Sequence, residues 1–202
     1  MRLLAGFARP DCLRQSRPPE SERLPTEKNM SAPTIRQFQA DEWQLYRELR
    51  LRALAESPDA FGSTFSRENE FPQQWWHDRL AAGVASATDL PLLGDVDGIA
   101  AGLAWGRIEP QQPKTAHLYQ VWVAPEARGC GAGRMLVAAV IAWAREQSVA
   151  ALELCVTCGE RPARRLYDRA GFLPVGKPIP IRPGAELLEQ PMRLELGNGR
   201  SQ

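Results

Sequence analysis

Val123-Ala124-Pro125-Glu126-Ala127-Arg128-Gly129-Cys130-Gly131-Ala132-Gly133-Arg134-Met135-Leu136 is the stretch on which the reading of this chain turns. An apolar run from His117 to Val123 leads into a turn with glycine at 129, 131 and 133, and an apolar helical pattern begins at once. Glycines let the backbone bend tightly, so successive N–H groups converge on one point. The helix that follows adds its unpaired first-turn donors and the positive end of its dipole. This is an anion site in outline, suited to a phosphate or pyrophosphate.

Two common phosphate loops are excluded. A P-loop ends in Gly-Lys-Ser/Thr, but Gly133 is followed by Arg134 and Met135, so the lysine and the magnesium-binding hydroxyl are missing. The dinucleotide pattern G-x-G-x-x-G fails because Arg134 or Leu136 stands where its third glycine is needed. What remains is R-x-x-G-x-G, from Arg128 through Gly131 to Gly133. A glycine turn that serves packing alone has the same local pattern, so the rest of the chain has to decide.

With 202 residues the chain suits one domain of ordinary size. Its 25 basic and 24 acidic residues nearly cancel, which argues against a nucleic-acid binder or a polybasic membrane protein and makes any anion site local. Residues 1–32, rich in arginine and proline without apolar periodicity, read as a disordered tail, with Met30 as an alternative start; 33–197 read as the folded domain and 198–202 as a trailing end. Leu3 to Ala8 is too short for a signal-peptide core, and no apolar run has membrane-spanning length, so a soluble cytoplasmic protein is expected. Cys155 and Cys158 form a C-x-x-C without a second half-site, and no metal is expected. Cys130, at the same helix end, is placed to have an activated thiol.

Along the chain, Thr34 to Phe38 reads as a strand, and a helix starts at Ala40-Asp41 and stops at Ser57-Pro58. Phe61 to Phe71 reads as a loop or broken helix, and Pro72 as the first residue of a helix ending near Gly83. Two strands, Ala85 to Val96 and Ile99 to Ile108, flank an Asp97-Gly98 hairpin turn. The helix from Gly133 to Gln147 is apolar nearly all round and is expected to be buried. Ala151 to Val156 reads as an interior strand, Pro162 opens a helix that Gly171 caps, and Phe172 to Val175 and Leu187 to Leu196 read as strands. Hairpins at both ends and a strand-helix-strand unit in the middle make this α+β, or mixed α/β.

The segment VWVAPEARGCGAGRML is followed, a helix and a strand later, by RPARRLYDRAGF, Arg161 to Phe172. Together they resemble the GNAT superfamily of N-acetyltransferases, whose acetyl-CoA loop has the R/Q-x-x-G-x-G/A pattern and whose later helix carries Leu-Tyr ahead of Gly-Phe. The resemblance spans Thr34 to Leu196. It implies a mostly antiparallel twisted sheet of about six to seven strands flanked by about four helices, with a strand pair that splays at the cofactor site. It also implies acetyl-CoA as co-substrate, its pyrophosphate on the amides of Arg128, Gly129, Cys130, Gly131, Ala132, Gly133 and Arg134. Gly131 and Gly133 would be glycine so that no side chain blocks that approach. Its pantetheine arm would pair with Val121, Trp122 and Val123, and the helix of Ala163 would border it. In many members an asparagine stands where Glu160 stands here; a carboxylate near the CoA phosphates is repelled, which weakens that contact.

By the same resemblance Tyr167 is the general acid. A phenol of pKa about 10 stays protonated at neutral pH and can protonate a leaving thiolate of pKa about 8.5. On its own spacing Tyr167 also reads as one more apolar rung of its helix. The expected reaction is direct attack of a primary amine, of a small molecule or of a protein, on acetyl-CoA. An amine of pKa about 10.4 is neutral about one part in a thousand of the time at neutral pH, so a base or a water chain must take its proton. Glu68 and Glu70 are the first candidates, followed by Glu109, His117 and Glu153; Trp75, Trp76, Trp105 and Trp122 are candidate pocket walls or core. Partners are acetyl-CoA and an amine acceptor, with no nucleic acid and no membrane; a homodimer is left open. A non-catalytic acyl-CoA sensor and a phosphate-binding structural domain are the rival classes.

Overall fold

The computed structural model describes residues 32–159 and 162–197. The expectations for the N-terminal tail before residue 32, for Met30 and for the 198–202 end lie outside the described residues.

Thr34–Gln37 (β1) leads into the helix Trp43–Glu56 (α1), then a short helix Phe65–Asn69 (α2) and the helix Gln73–Ala85 (α3). Asp89–Val96 (β2) and Ile99–Ile108 (β3) form a hairpin whose turn residues Asp97 and Gly98 both have positive φ (56° and 78°), as an Asp-Gly turn between right-twisted strands requires. Thr115–Val123 (β4) precedes the helix Ala132–Glu146 (α4), which returns the chain to Ala151–Thr157 (β5). Pro162–Arg169 (α5), the two-residue strands Leu173–Pro174 (β6) and Ile179–Pro180 (β7), and Leu188–Glu195 (β8) complete it. The strands form one sheet in the order β1-β2-β3-β4-β5-β8-β6, with β7 also on β8. Every pairing is antiparallel except β4 with β5, the pair joined by α4.

The sheet separates two cores. One holds Tyr46, Leu54, Trp76 and Leu80 from α1 and α3 with Leu93, Leu103, Trp105 and Trp122 of the strands. The other holds Leu136, Val137, Val140 and Trp143 of α4 and Tyr167 of α5 with Leu92, Ala104, Leu118 and Leu152. The alternation Leu103/Ala104/Trp105 sends successive side chains to opposite faces, as a strand must.

Several boundaries differ from the sequence reading for identifiable reasons. Gly83 lies inside α3 rather than ending it: a Cβ there would stand 2.4 Å from the Trp105 ring, so its glycine serves close packing. Pro72 is the N-cap of α3 rather than its first residue, so the helix begins one residue later than expected. The α4 helix is not buried all round. Arg134, Ala138, Ala142 and Arg145 form an exposed stripe, because small alanines suit either environment and periodicity alone cannot place them. β6 is shorter than the expected Phe172 to Val175 strand, and β7 was not foreseen. Gly171, at φ 92°, closes α5 as expected. Among the described residues no helix is long and apolar enough to cross a membrane.

Candidate active site

The strands β4 and β5 pair only at Thr115↔Ala151, Ala116↔Leu152 and His117↔Glu153. Beyond them β4 continues to Val123 and β5 to Thr157 without further pairing to one another. This is the splay expected of the cofactor site. A bulge adds to it: opposite β3 the partner jumps from Tyr119 to Trp122 between Trp105 and Leu103, leaving Gln120 and Val121 against Ala104. Gln120 has φ 58°, left-handed for a non-glycine residue, and its Oε1 accepts the Tyr46 hydroxyl at 3.1 Å.

At the end of β4 the glycine turn has the conformation its sequence demands. Gly129 and Gly131 have φ of 87° and 95°, and Gly131 is the N-cap of α4. No side chain caps that helix and no acidic residue sits in its first turn, so its leading N–H groups are free for an anion. Gly133 differs: a Cβ there would meet Leu166 and Val123 at 3.5 and 3.7 Å, ordinary contacts, so the fold itself does not require its glycine. Arg128 turns its guanidinium inward, donating to the Val123 carbonyl (3.0 Å) and to Glu56 (2.7 Å). That guanidinium is thus engaged within the protein, and the Arg128 backbone N–H also donates, to the Pro125 carbonyl at 3.3 Å. Burial alone would raise the Glu56 carboxyl, but hydrogen bonds from Arg128, Ser57 and Trp122 outweigh it and bring the pKa down to about 2. Cys130 donates its thiol to the Ala127 carbonyl at 2.9 Å. Glu160 lies outside the described residues, and Ala163 is exposed on α5.

The splay opens into a cleft of about 570 Å³ on the α1/α3 face of the sheet. Its walls are α1, α3, the 60–63 loop and β3, β4, β5 and β8, and Val121 and Tyr167 line it. Tyr167 belongs to the core under α4 and packs edge-on to Phe172 at 5.9 Å, yet it reaches the cleft on the other face. Burial raises its phenol pKa well above the ordinary value, so it holds its proton throughout the neutral range.

Glu68 and Glu70 do not border this cleft, which corrects the first choice of base. Glu68 is buried, and Arg50 grips both its oxygens at 2.6 and 2.9 Å, which ties the carboxylate into an ion pair away from the cleft. Glu70 is exposed beside α2. Glu109, His117 and Glu153 do line the cleft, but Glu109 pairs with Arg107 (3.3 Å) and Glu153 with Arg193 (2.6 Å). Sequence reasoning missed Glu189. It lines the cleft from β8, makes no ion pair among the described residues, and burial raises its carboxyl pKa, partly offset by a hydrogen bond with Cys155. Burial first, and then Glu189, push the Cys155 thiol up to about 12, which disfavours its thiolate; Cys155 and Cys158 are both free. Of the four tryptophans considered as pocket walls, Trp105 lines the cleft while Trp76 and Trp122 are core; Trp75 lines an adjoining groove.

Residues 43–172 match the family model described as Acetyltransferase (GNAT) family. The chain belongs to that family. By its description that family is one of acetyltransferases. Among curated relatives, a mycothiol acetyltransferase of Thermomonospora curvata is 31% identical over 170 residues, 83% of this chain and 53% of that protein. An L-2,4-diaminobutyric acid acetyltransferase of Nocardia farcinica is 33% identical over 101 residues, 50% of this chain and 48% of that protein. The chain thus spans about half the length of these relatives. Of solved structures, a Salmonella typhimurium protein with its cofactor acetyl-CoA superposes with a TM-score of 0.69 at 20% identity, covering 85% of this chain and 98% of that one. Spermidine N-acetyltransferase from Vibrio cholerae, in complex with CoA and spermine, gives 0.67 at 15%, covering 83% and 97%. At such identities the structures bear on the fold alone.

Proposed function

We propose that this GNAT domain transfers the acetyl group of acetyl-CoA to the primary amine of a small molecule. The observation that carries this is the splay between β4 and β5, which joins the glycine turn on one side to an amine-sized cleft on the other, with Tyr167 at the junction. The residues present fit acetyl-CoA: positive-φ glycines, an uncapped helix N-terminus free of acidic side chains, and unpaired strand edges that an extended arm can join as a strand.

Bound acetyl-CoA supplies a thioester carbonyl for the amine to attack. Glu189, directly or through water, takes the proton of the incoming ammonium, and its raised pKa makes it a better base than an ordinary carboxylate. Tyr167 holds the proton that the departing sulfur needs. A cleft of about 570 Å³ has room for a small acceptor, and the two relatives named for mycothiol and for L-2,4-diaminobutyric acid are small-molecule acetyltransferases by name. Calorimetric titration with acetyl-CoA, followed by mass spectrometry over a panel of amines, amino-sugar conjugates and peptides, tests the reading. Acetylated small amines support it; acetyl-CoA binding without any product favours the sensor alternative, and the absence of binding removes both.

A further inference from the structure

The cleft has two electrical poles. Arg50 of α1 and Arg79 of α3 come to it from the helices, while Glu189 of β8 and Glu153 of β5, the latter paired with Arg193, come from the strands. Among the cations lining it, Arg50 is paired with Glu68, and Arg107 lies beside Asp89 and Glu109. Arg79 makes no ion pair among the described residues.

Arg79 is nonetheless held firmly. Its guanidinium carbon lies 4.8 Å from the centre of the Trp105 ring and 5.3 Å from that of Trp75, and its Nε donates to the Tyr46 hydroxyl at 3.2 Å. Tyr46 in turn donates to Gln120, the left-handed bulge residue of β4. The two terminal nitrogens of Arg79 donate to nothing among the described residues. On the same wall, Arg50 is 4% exposed and its Nη1 is buried without an acceptor. A guanidinium fork fixed by its stem, with its outer donors unused, is shaped for a carboxylate.

We infer that Arg79, supported by Arg50, anchors a carboxylate of the acceptor, so that the acceptor is an amino acid or other carboxylate-bearing amine. The amine then points to the Glu189 pole, where its proton leaves. This rests on the acetyltransferase reading above and narrows its substrate class. A diamine or polyamine, which brings no anion, leaves Arg79 facing a like charge, and a peptide N-terminus has its α-carboxylate tied up in the peptide bond.

The test is a panel of α-amino acids, each paired with the amine that loss of its carboxyl group leaves, such as 2,4-diaminobutyrate with 1,3-diaminopropane. In the wild-type protein the preferred acceptor is expected to be an amino acid, with kcat/KM at least tenfold above its decarboxylated partner. Arg79→Gln is expected to collapse that ratio at least tenfold, chiefly through KM for the amino acid, and Arg79→Lys to restore it in part; acetyl-CoA binding of each variant reports that it is folded. Equal or better turnover of the decarboxylated partners overturns the inference while leaving the acetyltransferase reading intact. If no amine is acetylated, that reading falls, and calorimetric binding of the same pairs to the protein with CoA judges the anchor. Equal binding within the pairs then overturns it.

Discussion

His117 of β4 and Glu153 of β5 are the last residues at which these two strands run side by side, and Tyr167 reaches the cleft that opens past them. Tyr167→Phe keeps the ring against Phe172 and removes only the hydroxyl. It is expected to lower kcat about 100-fold, the usual scale for a lost general acid, with little change in Tm or in acetyl-CoA affinity. Steady-state kinetics with a calorimetric Kd checks this. An unaltered kcat would assign the proton to another group.

Gly131 and Gly133 separate two reasons for glycine in one turn. Gly131→Ala forces an L side chain to φ 95°, although the nearest protein atom, on Arg134, is 3.8 Å from the new Cβ. A destabilisation of about 1–2 kcal/mol and a clear loss of acetyl-CoA affinity are expected. Gly133→Ala meets only ordinary contacts and should leave Tm nearly untouched; a fall in acetyl-CoA affinity there would mark close approach of the ligand to the backbone. Thermal melts of both variants with and without acetyl-CoA distinguish the cases.

Much of this site was legible because its signals are local. The strand, the glycines and the helix start lie next to one another in sequence, and each residue type has its own backbone reason. The splay followed from resemblance, and its register from neither, since strand pairing is a long-range property. Glu189 escaped for that reason: nothing near it in sequence says that β8 folds back beside β5 and lays it against Cys155. Glu68 misled because a carboxylate in a polar stretch reads as solvated, and its partner Arg50 lies on a separate helix.

Glu189→Gln tests the base. A carboxyl with a raised pKa accepts a proton only above that pKa, so kcat/KM of the wild type should climb as pH rises past the ordinary carboxylate range. The variant should lose at least tenfold in rate near neutrality together with that acidic limb. A pH–rate profile that keeps its limb in the variant would move the role to His117 or to water.

The Glu56–Arg128 pair ties α1 to the glycine turn and should make stability depend on acid. The folded Glu56 carboxyl, near pKa 2 against 4.5 ordinarily, contributes stability that is fully present above about pH 4.5 and fades as pH falls toward 2. Discounted for its partial exposure, the contribution is about 1 kcal/mol. Arg128→Ala should therefore lower Tm at pH 7 and narrow the gap from wild type at pH 3. A gap that stays constant with pH would detach Glu56 from this role.

Gly83→Ala should cost about 1–3 kcal/mol, because its methyl would enter the Trp105 ring and something must shift. Denaturant unfolding measures the loss. A variant as stable as wild type would mean that α3 and β3 have slack between them.

β8, whose residues 188–195 come late in the chain, hydrogen-bonds with β5, β6 and β7. Until β8 docks, β5 has an open border with unpaired main-chain groups, ready to add a strand from another copy. Removal of β8 should accordingly yield insoluble product rather than a merely weakened fold.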